Sequence, residues 1–417
     1  MAATTSTLSA ITKTFYVSDV INKQINMQSV LYDKLWKKWE TDAGGKNYTY
    51  AIQTSRNRVA GTGIAEGGNF PTANNIGVEN IIVPDTQLTT PVELSGRVVR
   101  AATGRGKAAF VSAARLEIEG ALSSTIRSIN RQLHSDGRDA LAFWTGADDT
   151  SGTTVDDGQG NAFVHLESGA STLDLIDATD NSTVLGNAVV VTLGAENAST
   201  YDVTWTGTVS GSADGDYLVL NDSLTYQMMG IRGVIDDGNP PLLAGGLHGL
   251  TVAAAPYWKA QVVGNSGTNR DLSLELMQKP LTAIATKSDK RASDVKFLLA
   301  NGPVIDKYIA LVQADKRHVN EMELDGGHTA VSFNNKPLIL DPQCRRNVIY
   351  YVVPDTMDVL TSSGGVHWAT FMNNEQWQLK PATSTYADAY QAFLVFYGNL
   401  ACKCRNGNGL LEDISEA

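Results

Sequence analysis

The chain has 417 residues, 42% of them hydrophobic and 18% charged, with a formal net charge of −11. That length allows several packed domains. The acidity argues against a dedicated nucleic-acid binder while leaving room for one locally basic face. No run approaches the ~18 apolar residues of a membrane span. The opening MAATTSTLSAITKTF lacks the apolar core of a secretory leader, and three cysteines (Cys344, Cys402, Cys404) fit a reducing compartment rather than a disulfide framework.

In chain order, Leu31, Leu35 and Trp39 stand four apart and predict a short helix, stopped by Gly44-Gly45. Residues 46–100 predict a two-stranded arm. Tyr48, Tyr50 and Ile52 alternate with polar neighbours, and a tip holds Arg56, Asn57, Arg58, Gly61, Gly63, Glu66, Gly67, Gly68 and Pro71. The return runs through Ile81-Ile82-Val83 and Val92-Glu93-Leu94. So little apolar mass makes no core, so the arm is expected to rest on another subunit. Residues 107–135 predict the longest helix, roughly 40 Å. Its stripe is Ile118, Leu122, Ile126, Ile129 and Leu133, with Gly137 just past the end.

Charge then breaks sharply. From Asp139 to Ile231, 93 residues carry fourteen Asp/Glu and no Lys or Arg, whereas residues 1–138 sum to +5 and 232–417 to −2. One uniform fold has no reason to segregate charge this way, so the stretch predicts a separate module. Short strands at Val184-Leu185, Val189-Val190-Val191, Val203-Thr204-Trp205 and Tyr217-Leu218-Val219-Leu220, parted by Gly/Asn/Asp/Ser turns, make that module a small β-sandwich or barrel. Beyond about residue 250 the pattern is α+β. It has a helix over 272–286 with Pro280 as a kink or early stop, a strand over 295–300 and a helix over 304–315 on Val304, Tyr308 and Val312. A buried strand follows over 347–353. Residues 386–399 are aromatic and aliphatic, and their type stays open.

Signatures of catalysis are missing. Gly104-Arg105-Gly106-Lys107 has Ala101 and Ala108 where a phosphate loop needs Gly and Ser/Thr, so a turn is favoured. Cys402-x-Cys404 lacks zinc-knuckle spacing and a nearby His. Asp174, Asp177 and Asp180 lack the alternation of an EF-hand, so an ordinary acidic turn is favoured over a Ca²⁺ site. The six histidines (His134, His165, His248, His318, His328, His367) form no His-Glu-x-x-His pair, and no Gly-x-Ser-x-Gly elbow occurs. No catalytic, cofactor-binding or metal-binding residue is expected, and the chain is not expected to be an enzyme.

The order of parts resembles the tailed-phage major capsid proteins, which share the Hong Kong 97 capsid fold. The arm Arg56-Asn57-Arg58…Gly61…Gly63…Glu66-Gly67…Pro71 resembles that family's extended loop. Met229-Gly230-Ile231-Arg232-Gly233-Val234-Ile235-Asp236-Asp237-Gly238 with Pro256-Tyr257-Trp258-Lys259-Ala260 resembles a stretch common among such capsid sequences. So do Asn335-Lys336-Pro337-Leu338 with Asp341 and Cys344, then Ile349-Tyr350-Tyr351. Asp388-Ala389-Tyr390-Gln391-Ala392…Tyr397…Leu400 with Arg405-Asn406 and Leu411-Glu412-Asp413-Ile414 completes the set.

The resemblance implies an α+β fold with an N-terminal arm (1–43), an extended loop (44–101) and a peripheral domain (102–150 and 361–417) carrying the spine helix 107–135. It also implies an axial domain (229–360), with the acidic, all-β module (151–228) as an insertion. It implies a structural shell protein of the virion, assembled in the host cytoplasm as hexamers and pentamers around double-stranded DNA on the inner face. Its implied partners are a portal, a separate scaffolding protein and a decoration protein, with no membrane. Some family members weld subunits through an extended-loop lysine. Between Asn47 and Gly106 this chain has five arginines and no lysine, so non-covalent locking by Arg56, Arg58 and Glu66 against a neighbour is expected, with no isopeptide crosslink. The acidic module is expected to face away from the DNA. The alternatives are an encapsulin-like compartment and, more remotely, a multidomain hydrolase with a β-sandwich module.

Overall fold

The computed structural model describes residues 31, 34, 35 and 47–415, apart from 58–60, 73–74, 98–106, 146–150, 155–171, 198–199, 207–208, 315–320, 325–327, 362–364, 371–375 and 382–385. The expectations for Trp39, for the Gly104–Gly106 turn and for Arg58 therefore fall outside the described residues.

Strands Asn47–Gln53 and Val78–Pro84 form a two-stranded antiparallel ribbon. Period-two alternation buries Tyr48, Ile81 and Val83 against the body and leaves Val78 and Ile82 exposed. The pairing stops at Pro84, which has no N–H to donate; the Asn399 Nδ2 donates to its carbonyl at 2.9 Å. The segment after it departs from the expected arm. Thr86–Ser95 pairs along its whole length with the strand Tyr386–Cys402. Its Thr-rich, alternating sequence finds an open strand edge in the body, and Thr86 Oγ1 donates to Gly398 O at 2.5 Å. The arm proper is thus the ribbon and its tip.

Tyr386–Cys402, the segment of open type, is a 17-residue strand at the centre of a five-stranded sheet. Along its other side lie Met357–Thr361, His367–Trp368 and Gln378–Pro381 in succession. The spine helix Lys107–His134 lies on this sheet. Thr125 Oγ1 donates to Thr90 Oγ1 at 2.8 Å. The apolar stripe is buried at Ile129 and Leu133 but exposed at Leu122. Gly137, in the left-handed region at φ 93°, turns the chain away.

The acidic stretch is a closed six-stranded antiparallel barrel around Trp144, Leu173, Leu175, Val189, Val209 and Leu218. It opens with Ala142–Thr145, ahead of the expected boundary at 151, because Ala142 and Phe143 pair with Leu218 and Tyr217 to close the cylinder. Its last strand, Tyr217–Leu220, ends before 228. Val184–Asn197 is one 14-residue strand, not two short ones. Gly186 and Asn187 are not a turn here, and register shifts absorb them.

A seven-stranded sheet runs in the order Gln261–Val263, Gly409–Leu411, Ile349–Val352, Phe297–Ala300, Lys336–Leu340, His328–Phe333, Glu321–Leu324. Helices Leu274–Lys287 and Gly302–Ala314 cover one face through Met277, Leu281, Ile284, Val304 and Tyr308. Pro280 does not end its helix, because the flanking apolar residues hold it against the sheet. On strand Ile349–Val352, Ile349 and Tyr351 face the helices while Tyr350 and Val352 face Leu31, Leu35, Ile129 and Leu133. Gly409–Leu411 was expected with the peripheral part. It sits inside this sheet instead, fully buried between two strands.

Candidate assembly surfaces and the buried junction

At the tip of the arm Arg56 and Glu66 are exposed. Three large apolar side chains share that tip: Ile64, Phe70 and Ile76 are exposed, Phe70 to 88%. These apolar residues follow no strand or helix period, so the pattern of the sequence marks the tip's charges and not its apolar part.

The barrel is tied to the body where the chain enters and leaves it. On the way out, Arg131 pairs with Asp139 at 2.6 Å. Asp139 holds a left-handed backbone at φ 52°. Arg138 donates to Asp136 at 2.7 Å, and its guanidinium also stacks 5.2 Å from the rings of Phe143 and Tyr217 on the barrel. On the way back, Met228 N donates to Gln132 Oε1 at 3.1 Å, and Arg232 approaches Asp136 at 3.7 Å. Burial alone would raise the Asp136 carboxyl, but Arg232 and Arg138 more than offset it and hold it below the usual carboxylate value. For Asp139 burial wins over Arg131, and its pKa rises to about 6.

The strongest internal tie is Arg405, which has no exposed surface. Its Nε donates to Val234 O at 2.9 Å and its Nη1 to Trp258 O at 3.1 Å; its Nη2 donates to Gly233 O at 3.1 Å and to Gly238 O at 2.7 Å. One side chain thus gathers the 229–238 stretch, the 256–260 stretch and the 405–406 pair, three separate motifs of the sequence. A second tie is Asp341. Its carboxylate accepts from Leu31 N at 3.3 Å and from Gln343 N at 3.0 Å, and it meets His134 Nε2 at 2.9 Å. It thereby joins the start of the chain, the end of the spine helix and the seven-stranded sheet.

His248 supplies a third tie and a pH dependence. Its Nε2 accepts from Cys402 N at 3.1 Å, and its carbonyl accepts from Ile82 N at 3.0 Å. Burial, helped by Arg405, lowers its pKa to about 3. The unfolded ring titrates near ~6.5. Between these values the unfolded chain binds a proton that the folded chain refuses, so stability falls with falling pH, by on the order of 1.4 kcal/mol per pH unit. Asp139 acts in the opposite sense below about pH 6, where the folded chain takes up a proton first. His248→Asn keeps a residue tolerant of the φ of 56° and removes the first effect. Denaturation midpoints are expected to show the variant's deficit shrinking from pH 7 to pH 5. A deficit constant over that range would exclude the assignment.

Among the described residues no group of three His, Cys, Asp or Glu is placed to hold a metal ion. Asp174 accepts from Asp222 N at 2.9 Å, Asp177 from Thr179 N at 2.7 Å, and Asp180 from Ser182 N and Thr183 N, both at 2.9 Å. These carboxylates build turns. Cys344 and Cys402 are buried and Cys404 is half-buried, and none of the three forms a disulfide.

The architecture is the capsid-subunit fold of the Hong Kong 97 type. The chain is similar over its whole length to the subunit in the capsid asymmetric unit of cyanophage A-1(L), with 13% identity, 99% of both chains covered and a TM-score of 0.58. It also matches the SrpI encapsulin of Synechococcus elongatus PCC 7942, with 8% identity, 100% and 97% coverage and a TM-score of 0.47. The capsid of a native GTA particle matches with 8% identity, 97% and 96% coverage and a TM-score of 0.48. No protein-family model and no curated protein sequence matches the chain.

Proposed function

We propose that the chain is the major structural protein of a tailed-phage capsid, forming hexamers and pentamers that close into an icosahedral shell around double-stranded DNA. The observation that carries this reading is the end-to-end likeness to a phage capsid subunit, which covers 99% of both chains. An exposed arm tip and a spine helix whose apolar stripe is exposed at Leu122 also support a molecule completed by neighbours.

On this reading the protein has no catalytic role and belongs to the virion after assembly in the host cytoplasm. Portal, scaffolding and decoration proteins are separate partners. Locking is non-covalent and uses Arg56, Arg58 and Glu66. Single exposed ion pairs contribute only ~0–1 kcal/mol each, so repetition around the shell must supply the strength. The basic-free barrel faces outward, because packaged DNA carries one charge per ~1.7 Å of helix axis and would repel it.

Electron microscopy of the purified full-length protein is expected to reveal closed shells or six- and five-membered rings. A protein that remains monomeric at high concentration would overturn the reading. Co-purifying protein cargo in place of nuclease-protected DNA would redirect it to an encapsulin-like compartment.

A further inference from the structure

Where the barrel, the arm base and the spine helix meet, the chain leaves a cleft of about 710 Å³, a size typical of small-molecule sites. Ile82, Leu88, Leu220, Leu242 and Leu243 give it an apolar wall, and Ile82 and Leu220 keep much of their surface in water. Its charge is one-sided. The described lining residues include Asp85 and Asp222 and no lysine or arginine. His248 adds no positive charge at neutral pH, because burial, helped by Arg405, lowers its pKa to about 3. The neighbouring cations are committed elsewhere, Arg131 to Asp139 and Arg405 to four carbonyls.

Asp85 is the group that its own chain leaves short of donors. Its Oδ1 is shut off from water and has no hydrogen-bond partner. Burial raises the pKa of the carboxyl, and the Thr86 N–H and the Tyr48 hydroxyl offset only part of that. Three side-chain amides of the lining are turned to other acceptors. Asn399 Nδ2 donates to Pro84 O at 2.9 Å, Gln132 Nε2 to Gln227 Oε1, and Gln87 Nε2 to Thr89 Oγ1 at 3.4 Å. Asp85 as a whole is half-buried, and a carboxylate turns readily about its terminal torsion, so either oxygen can be presented to the cleft. A buried acceptor without a donor is costly, and a nearby cation favours the charged carboxylate. Tyr226 stands at the rim, 69% exposed, and an aromatic face attracts an ammonium group.

We propose that the cleft binds a linear aliphatic amine, its ammonium group donating to the Asp85 carboxylate and its methylene chain lying along Ile82, Leu88 and Leu243. Both halves of that ligand are needed. A metal ion would leave the apolar wall uncovered, and a fatty acid would set a further carboxylate against Asp85 and Asp222. The site goes beyond the shell-protein reading and holds whether or not the chain assembles. Leu220 and Tyr226 lie on the barrel side of the cleft, and Leu88 lies on the five-stranded sheet. An occupant touching both sides therefore fastens the barrel to the body.

The test titrates octylamine into the full-length protein by calorimetry. Octanoate, with the opposite charge, and ammonium chloride, with no chain, are the matched probes. Octylamine is expected to saturate at one molecule per chain and to bind about tenfold more tightly than either, or better. Asp85→Asn should weaken octylamine by about the same factor. Tyr226→Ala alters an exposed ring, so it should leave the thermal midpoint unchanged and weaken octylamine about threefold. Octylamine should also slow proteolysis of the wild type at residues 221–229, and should not do so in Asp85→Asn. Octanoate binding as tightly as octylamine would overturn the proposal, as would the absence of saturable octylamine binding. A folded Asp85→Asn variant with wild-type affinity would overturn it too, and if that variant fails to fold, wild-type affinity in Tyr226→Ala does the same.

Discussion

Replacing Arg405 by Met is expected to destabilise the chain by on the order of 5 kcal/mol and to abolish soluble expression. The side chain is fully buried and donates to four backbone carbonyls on three separate turns of chain. Met fills a similar volume but donates nothing, so Val234, Trp258, Gly233 and Gly238 lose a partner together. Each buried acceptor left without a donor costs ~1–3 kcal/mol. The total approaches the whole stability of an ordinary domain, about 5–15 kcal/mol. Burial lowers the Arg405 pKa, yet a guanidinium stays charged because its intrinsic value is so high. Arg405→Lys keeps the charge but not the planar fork, so it should recover only part of the loss. Chemical denaturation of the Lys variant, and solubility of the Met variant, measure the two effects. A Met variant with a wild-type midpoint would refute the role given to Arg405.

That role explains what was and was not legible in the sequence. The three stretches gathered by Arg405 could be picked out one by one, but nothing in their spacing says that a single side chain, 147 residues beyond Trp258, holds them. Contacts at that separation follow from topology, and local patterns do not encode topology. The spine helix was legible because it is long and its stripe keeps one period. The barrel was legible through charge before it was legible through strands. The loss of Lys and Arg begins at Asp139, close to the first strand at Ala142, whereas the layout implied by the resemblance starts the insertion at 151. The pattern failed for Val184–Asn197, where Gly186 and Asn187 sit inside a strand that a closed barrel supports from both edges. Thr86–Ser95 was misassigned for a related reason. Alternation identifies a strand but not its partner, and the partner lies some three hundred residues later. At the arm tip Phe70, flanked by Asn69 and Pro71, carries no periodicity at all, so no local pattern marks it.

Gly230→Ala is expected to be nearly as damaging as the loss of Arg405, for a steric reason. Gly230 lies where the chain returns from the barrel and crosses the end of the spine helix. A Cβ there would lie 2.5 Å from Ser135 O and 2.6 Å from Leu133 O, and closer still to Gln132 O. Its φ of −118° and ψ of −179° suit any residue, so backbone conformation is not what requires glycine. All three obstacles are main-chain atoms at a helix terminus, and none can swing aside as a side chain would. Relief requires the returning segment to lift off the helix. That would draw Met228 N from Gln132 and Arg232 from Asp136, while Gly233 and Val234 pull on Arg405. Overpacking usually costs about 1–3 kcal/mol, and this case belongs at or above the top of that range. Because the strain falls on the crossing between barrel and body, the barrel should loosen before the sheets do. Limited proteolysis of the variant is expected to cut near residues 221–229 under conditions that leave the wild type intact, with the barrel strands still protected from hydrogen exchange. Cleavage spread evenly over the chain would mean that Gly230 supports the whole fold and not the docking of the barrel. Resistance equal to wild type would mean that the close approach at the helix end has room to relax.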